Sequence, residues 1–120
     1  MERQEIGTMP WSVTPEKLRE AIRRIVEAGK PRRIILFGSA ARGQSGPDSD
    51  VDLLVVTGDE VTSCRRESVR LRRAVGDVLL ALDIVVVPES RLAALGQVPG
   101  LVYRVALREG RVLYEAPRAA

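Results

Sequence analysis

Two short apolar runs constrain this chain most: Ile34-Ile35-Leu36-Phe37, and Leu53-Leu54-Val55-Val56 behind Asp50-Val51-Asp52. Both read as buried strands, because each is too short for a buried helix and ends abruptly at polar or glycine residues. The first run stops at Gly38-Ser39-Ala40-Ala41-Arg42-Gly43. Gly38 lacks a Cβ, so the backbone can turn sharply there and a ligand can come close. Ser39 stands where the N-cap of a short helix would stand. Its hydroxyl and the free N–H groups that follow would favour an anion, most commonly a phosphate. Arg42, three residues further on, falls on the same face of that helix and can reach the same phosphate. Gln44 to Ser49 reads as a loop, with Gly46 and Pro47 as breakers.

The second strand begins with the opposite chemistry. Asp50 and Asp52 stand two residues apart, which on a strand puts both carboxylates on one face and turns Val51 and Leu53 to the other. Two carboxylates this close repel and raise each other's pKa. A cation between them removes the conflict. Mg²⁺ suits the pair, because it takes few carboxylates and completes its octahedron with phosphate oxygens and water. A phosphate cradle and a metal clamp therefore lie close together in the sequence.

Composition narrows the chemistry. The chain has 120 residues, 45% of them hydrophobic, which suits one small domain with an aliphatic core. The expected domain spans 1–120, with its core at about 14–115 between a loose N-terminal segment and a short tail. There is no histidine, so a His base, a His-ligated zinc and a Ser-His-Asp triad are excluded. Cys64 is the one cysteine, which rules out an internal disulfide and fits a reducing cytoplasm. No apolar run reaches the length needed to span a bilayer. The net charge of +3 fits a nucleotide or an acidic protein partner and gives no separate case for nucleic acid.

Thr14-Pro15-Glu16 is a helix start, followed by Leu18, Ala21, Ile22, Ile25 and Val26 at helical spacing, with Gly29 as the expected stop. A second helix is expected to begin near Val61 or Thr62, with Val69 or Leu71, then Ala74, Val75 and Val78, on its apolar side. Arg65, Arg66, Arg70, Arg72 and Arg73 crowd the remainder. That crowd reads either as a solvated helix face or as a surface for an acidic partner. Ala81 to Val87 is a third strand, Pro99 to Glu109 a further helix with Val102, Val105 and Ala106 on one face, and Arg111 to Glu115 a last strand. Tyr103 and Tyr114 are expected at the core or its rim. The order predicts an α/β domain: a small mixed sheet with helices packed against it.

Asp83 interrupts the third strand. A lone carboxylate in an apolar strand is expensive unless it has a partner or faces water at an edge. Asp83 is therefore either an edge carboxylate facing water or a third acid for the site of Asp50 and Asp52, with Asp77 the nearest alternative.

Gly38-Ser39-Ala40-Ala41-Arg42-Gly43 followed by Ser49-Asp50-Val51-Asp52-Leu53 resembles the signature of the minimal nucleotidyltransferases, in the polymerase-β-like nucleotidyltransferase superfamily. The resemblance covers roughly residues 15 to 115. It implies the nucleotidyltransferase core and transfer of AMP from ATP to an acceptor hydroxyl. Two Mg²⁺ ions would be held by Asp50, Asp52 and Asp83, with Gly38, Ser39 and Arg42 on the phosphates. Relatives of this size resemble antitoxins that add AMP to a tyrosine of a helical HEPN-type toxin. That implies a protein partner and makes nucleic acid and a membrane unexpected. Two other readings stay open: a non-catalytic module that neutralises its partner by docking, and nucleotidyl transfer to a small molecule.

Overall fold

The computed structural model of the protein describes residues 13–38 and 50–117. Its elements are α1 (Pro15–Gly29), β1 (Arg33–Phe37), β2 (Val51–Thr57), α2 (Cys64–Val75), β3 (Leu82–Pro88), α3 (Glu89–Leu95), α4 (Val102–Glu109) and β4 (Arg111–Glu115). The expected mixed α/β architecture is present. Four strands form one sheet in the order β3-β2-β1-β4. β1 runs antiparallel to both β2 and β4, while β2 and β3 are parallel and joined through α2. The short helix expected after Gly38, with Ser39 and Arg42, lies outside the described residues, as do residues 1–12.

α1 begins as its sequence directs. Thr14 caps it, its Oγ1 accepting from the Lys17 N–H at 3.2 Å, and Pro15 occupies the first turn, where its missing N–H costs nothing. The helix ends at Gly29, as expected, but glycine does not supply the left-handed cap. Gly29 is still helical, and Lys30 takes the left-handed position at φ 44°, its N–H bonding Val26 O at 2.9 Å. Gly29 serves packing instead: a Cβ there would come within 2.8 Å of Leu71 Cδ2, so α1 and α2 approach closely at this point. α2 also starts later than expected. Ser63 is its cap, accepting from the Arg66 N–H at 3.2 Å, and Gly76 ends it at φ 63°.

β2, between β1 and β3, carries fully buried Leu53, Leu54, Val55 and Val56, so both faces of the sheet are covered along it. Alternation divides its side chains between two cores. Ile34, Leu36, Val51, Leu53 and Val55 join Ala21, Ile25, Leu71 and Val75 beneath α1 and α2. Ile35, Phe37, Leu54, Val56 and Val87 join Leu92 and Ala106 beneath α3 and α4. The helix expected over 99–109 is shorter, and a separate α3 precedes it. Ala106 faces the sheet, while Val102 and Val105 stay largely exposed, because Tyr103 and not a valine shares the inward side. Tyr114 packs against the α1 side. Among the described residues no helix is long and apolar enough to cross a membrane.

Candidate active site

The parallel pairing of β2 with β3 sets the site. Their register aligns Val51 with Leu82 and Asp52 with Asp83. Aligned residues of neighbouring strands point to the same face, with the strands roughly 5 Å apart. Asp52 and Asp83 thus project side by side from the α3/α4 face, at the starting ends of their strands. Asp50 stands just before β2 and is exposed, as is Asp83, whereas Asp52 is half-buried.

β1 runs the other way and ends at the same place. Its last residue, Phe37, pairs with Asp52, and Gly38 follows at φ 78°. This left-handed backbone suits glycine and strains other residues. A Cβ on Gly38 would also collide with Asp52 Oδ2. The sequence reading expected a ligand to approach Gly38; in the structure the group that lies against it is the Asp52 carboxylate. No local signal could reveal this, since it depends on strand register.

Electrostatically the cluster is frustrated. Burial raises the Asp52 carboxyl above its ordinary value, and the charges of Asp83 and then Asp50 push it the same way. Among the described residues no arginine or lysine pairs with any of the three, and no group of three or more Asp, Glu, His or Cys side chains is closed tightly enough to hold a metal as it stands. The contrast with Asp77 is direct. That carboxylate lies against Arg24 Nη1 at 2.9 Å, and the same nitrogen donates to Val75 O at 2.7 Å. Asp77 is committed to tying α1 to the end of α2, away from the other carboxylates.

A model of the nucleotidyltransferase domain matches residues 15–110. The chain belongs to the nucleotidyltransferase domain family. Its fold recurs in a crystal structure of a Sulfolobus solfataricus protein proposed to be a nucleotidyltransferase, at a TM-score of 0.60 and 18% identity, covering 83% of this chain and 78% of that one. It recurs also in a toxin–antitoxin crystal structure with AMP-PNP, at a TM-score of 0.51 and 21% identity, covering 87% of this chain and 75% of that one. At these identities the likeness speaks for the fold. No curated protein matches the sequence. For this nucleotidyltransferase, the structure brings together Gly38, Asp50, Asp52 and Asp83, and Ser39 and Arg42 lie outside the described residues.

Proposed function

We propose that this nucleotidyltransferase moves AMP from ATP to a tyrosine hydroxyl of a HEPN-type protein partner, in a Mg²⁺-dependent reaction in the cytoplasm, and acts as the antitoxin of that partner. The observation that carries the chemistry is the register of Asp52 with Asp83, beside Asp50 and the glycine turn. The partner assignment draws support from the toxin–antitoxin structure that shares the fold.

The donor set suits the metal. Three carboxylates offer hard oxygen ligands, and their mutual repulsion at Asp52 is what a divalent cation relieves. Asp50 and Asp83 are exposed, which leaves their side chains room to turn toward an ion. Asp50 and Asp52 would hold one ion and Asp83 would share the second. When bound, Mg²⁺ supplies charge neutralisation at the transferring phosphate. The chain does the rest by placement. Gly38 leaves room for the Asp52 carboxylate, and Ser39 and Arg42 are assigned to the outgoing phosphates on sequence grounds. Asp83 accepts the proton of the acceptor hydroxyl as its oxygen bonds to the α-phosphorus. The bond from that phosphorus to the bridging oxygen breaks, and its electron pair leaves with pyrophosphate. Most of the acceleration comes from positioning and charge stabilisation.

The test is label transfer from α-³²P-ATP to the product of a neighbouring toxin gene, in single turnover. Asp83→Asn should leave Mg²⁺–ATP affinity within a few-fold and slow transfer by roughly 10²–10⁴-fold. Near-normal transfer by that variant would remove Asp83 from the reaction. Binding of the partner without labelling would favour the docking-only module, and absence of binding would favour a small-molecule acceptor.

A further inference from the structure

The two helices on the far side of the sheet from the carboxylates treat their arginines differently. On α1, Arg23 pairs with Glu20 at 2.7 Å and with Glu27 at 3.3 Å, and Arg24 pairs with Glu20 at 2.8 Å and with Asp77 at 2.9 Å, which leaves Arg19 alone of its three arginines without a partner among the described residues. Such pairing is how a solvated helix face balances its charge. α2 carries Arg65, Arg66, Arg70, Arg72 and Arg73 against a single acid, Glu67. Glu67 neutralises Arg70 at 2.7 Å. Among the described residues the side chains of Arg66, Arg72 and Arg73 have no partner, and Arg65 has none either.

The arginines are not scattered. Leu71 and Val75 turn inward, so Arg66, Val69, Arg70 and Arg73 follow one another along the outward side. Val69 is 43% exposed at the middle of the ridge. Arg65, Arg66, Val69, Arg70 and Arg73 line an open depression of about 360 Å³ there. An apolar floor ringed by arginines has the make-up of a protein interface, with its apolar centre and Arg-rich surround. A duplex or single-stranded phosphate backbone offers nothing to match the exposed valine, and there is no aromatic side chain in the ridge for bases to stack on.

We infer that the outward face of α2 is a docking surface for an acidic amphipathic helix of a protein partner, which seats an apolar side chain on Val69 and carboxylates against Arg65, Arg66 and Arg73. This deepens the proposed function and rests on it only in requiring a protein partner. It adds that docking and transfer use opposite faces of the sheet. α2 packs its inward side into the α1/α2 core, whereas Asp52 and Asp83 project from the α3/α4 side. A partner held at α2 must therefore reach around the sheet to present its acceptor.

The test uses the full chain and a synthetic amphipathic helical peptide with leucines on one side and glutamates flanking them. Titration followed by fluorescence anisotropy should show salt-sensitive binding. Arg66→Glu with Arg73→Glu should weaken it by roughly tenfold or more, and Val69→Ser by a few-fold. Circular dichroism on each variant establishes that it folds. Asp52→Asn should bind the peptide like wild type, so the docking claim can fail or succeed independently of the transfer chemistry. Absence of peptide binding, or equal binding by the arginine variant, would overturn the inference. So would tighter binding of a duplex DNA that is indifferent to Val69→Ser, which would assign the ridge to nucleic acid.

Discussion

The two faces of the sheet are made from alternate residues of the same strands, yet they are finished differently. The face under α1 and α2 is sealed: Leu53, Val55 and Leu71 are fully buried and join one apolar cluster. The face under α3 and α4 is apolar only toward one end, over Leu54, Val56 and Val87. Toward the other end, beside Phe37, it changes to Asp52 and Asp83. One face is optimised for stability and the other gives some of it up to gather like charges. That is the trade expected where a site must bind something the chain does not contain.

The largest contrast should appear in the cores. Leu71→Ala opens a cavity between two well-formed helices and the sheet, and should cost about 3–5 kcal/mol in chemical denaturation. Leu92→Ala truncates the buried residue of the seven-residue α3 itself, which has no side-chain N-cap and can settle inward, so about 2–3 kcal/mol is expected. The reverse order would break the distinction between a sealed and an open face.

Gly38→Ala should come next, at about 1–3 kcal/mol, from its left-handed backbone and the collision with Asp52. Its transfer rate should fall further than that loss of stability explains, since the displaced carboxylate belongs to the proposed site. A stable Gly38→Ala with full activity would separate the turn from the chemistry.

Much of this was legible in the sequence, and the limits were physical. The strands β1 and β2 and the start of α1 were readable because apolar runs and the Thr14-Pro15 cap are local signals. The start of α2 was misplaced because Ser63 competes with Thr62 as a cap, and only the folded backbone selects Ser63. Val102 and Val105 were placed on one face of α4 with Ala106 because their spacing fits a helix, but which side turns inward depends on what lies beneath. Asp83 could be singled out as an anomaly in its strand. Its place opposite Asp52 follows from the parallel crossover through α2, which no local pattern encodes. Gly38 was flagged for its flexibility, while the Asp52 carboxylate that needs the space was invisible before strand pairing was known.

A smaller effect sharpens the contrast through pH. Hydrogen bonds from Arg23 and then Arg24 hold Glu20 on α1 at a pKa of about 2, below its ordinary 4.5. Its contribution to stability is present above the ordinary value and is lost as pH falls through about 2. The carboxylate is exposed, so the effect should be slight. Glu20→Gln should therefore melt slightly below wild type at neutral pH, with the gap closing in acid. An unchanged gap from neutral pH to pH 2 would show that the pairing is not the cause.

Asp52 has the opposite sign. Its raised pKa favours the folded state most below the ordinary aspartate value of 3.8, and that advantage is lost as pH rises through the raised value. A charge on this carboxylate is a liability for the fold and an asset only for a bound cation. Thermal unfolding of wild type and Asp52→Asn at neutral pH, each with and without Mg²⁺–ATP, tests this directly. The account predicts that Asp52→Asn melts higher than wild type without ligand and gains little when Mg²⁺–ATP is added, whereas wild type gains clearly with Mg²⁺–ATP and much less with ATP in EDTA. An Asp52→Asn protein that melts lower than wild type and still gains fully from Mg²⁺–ATP would contradict it.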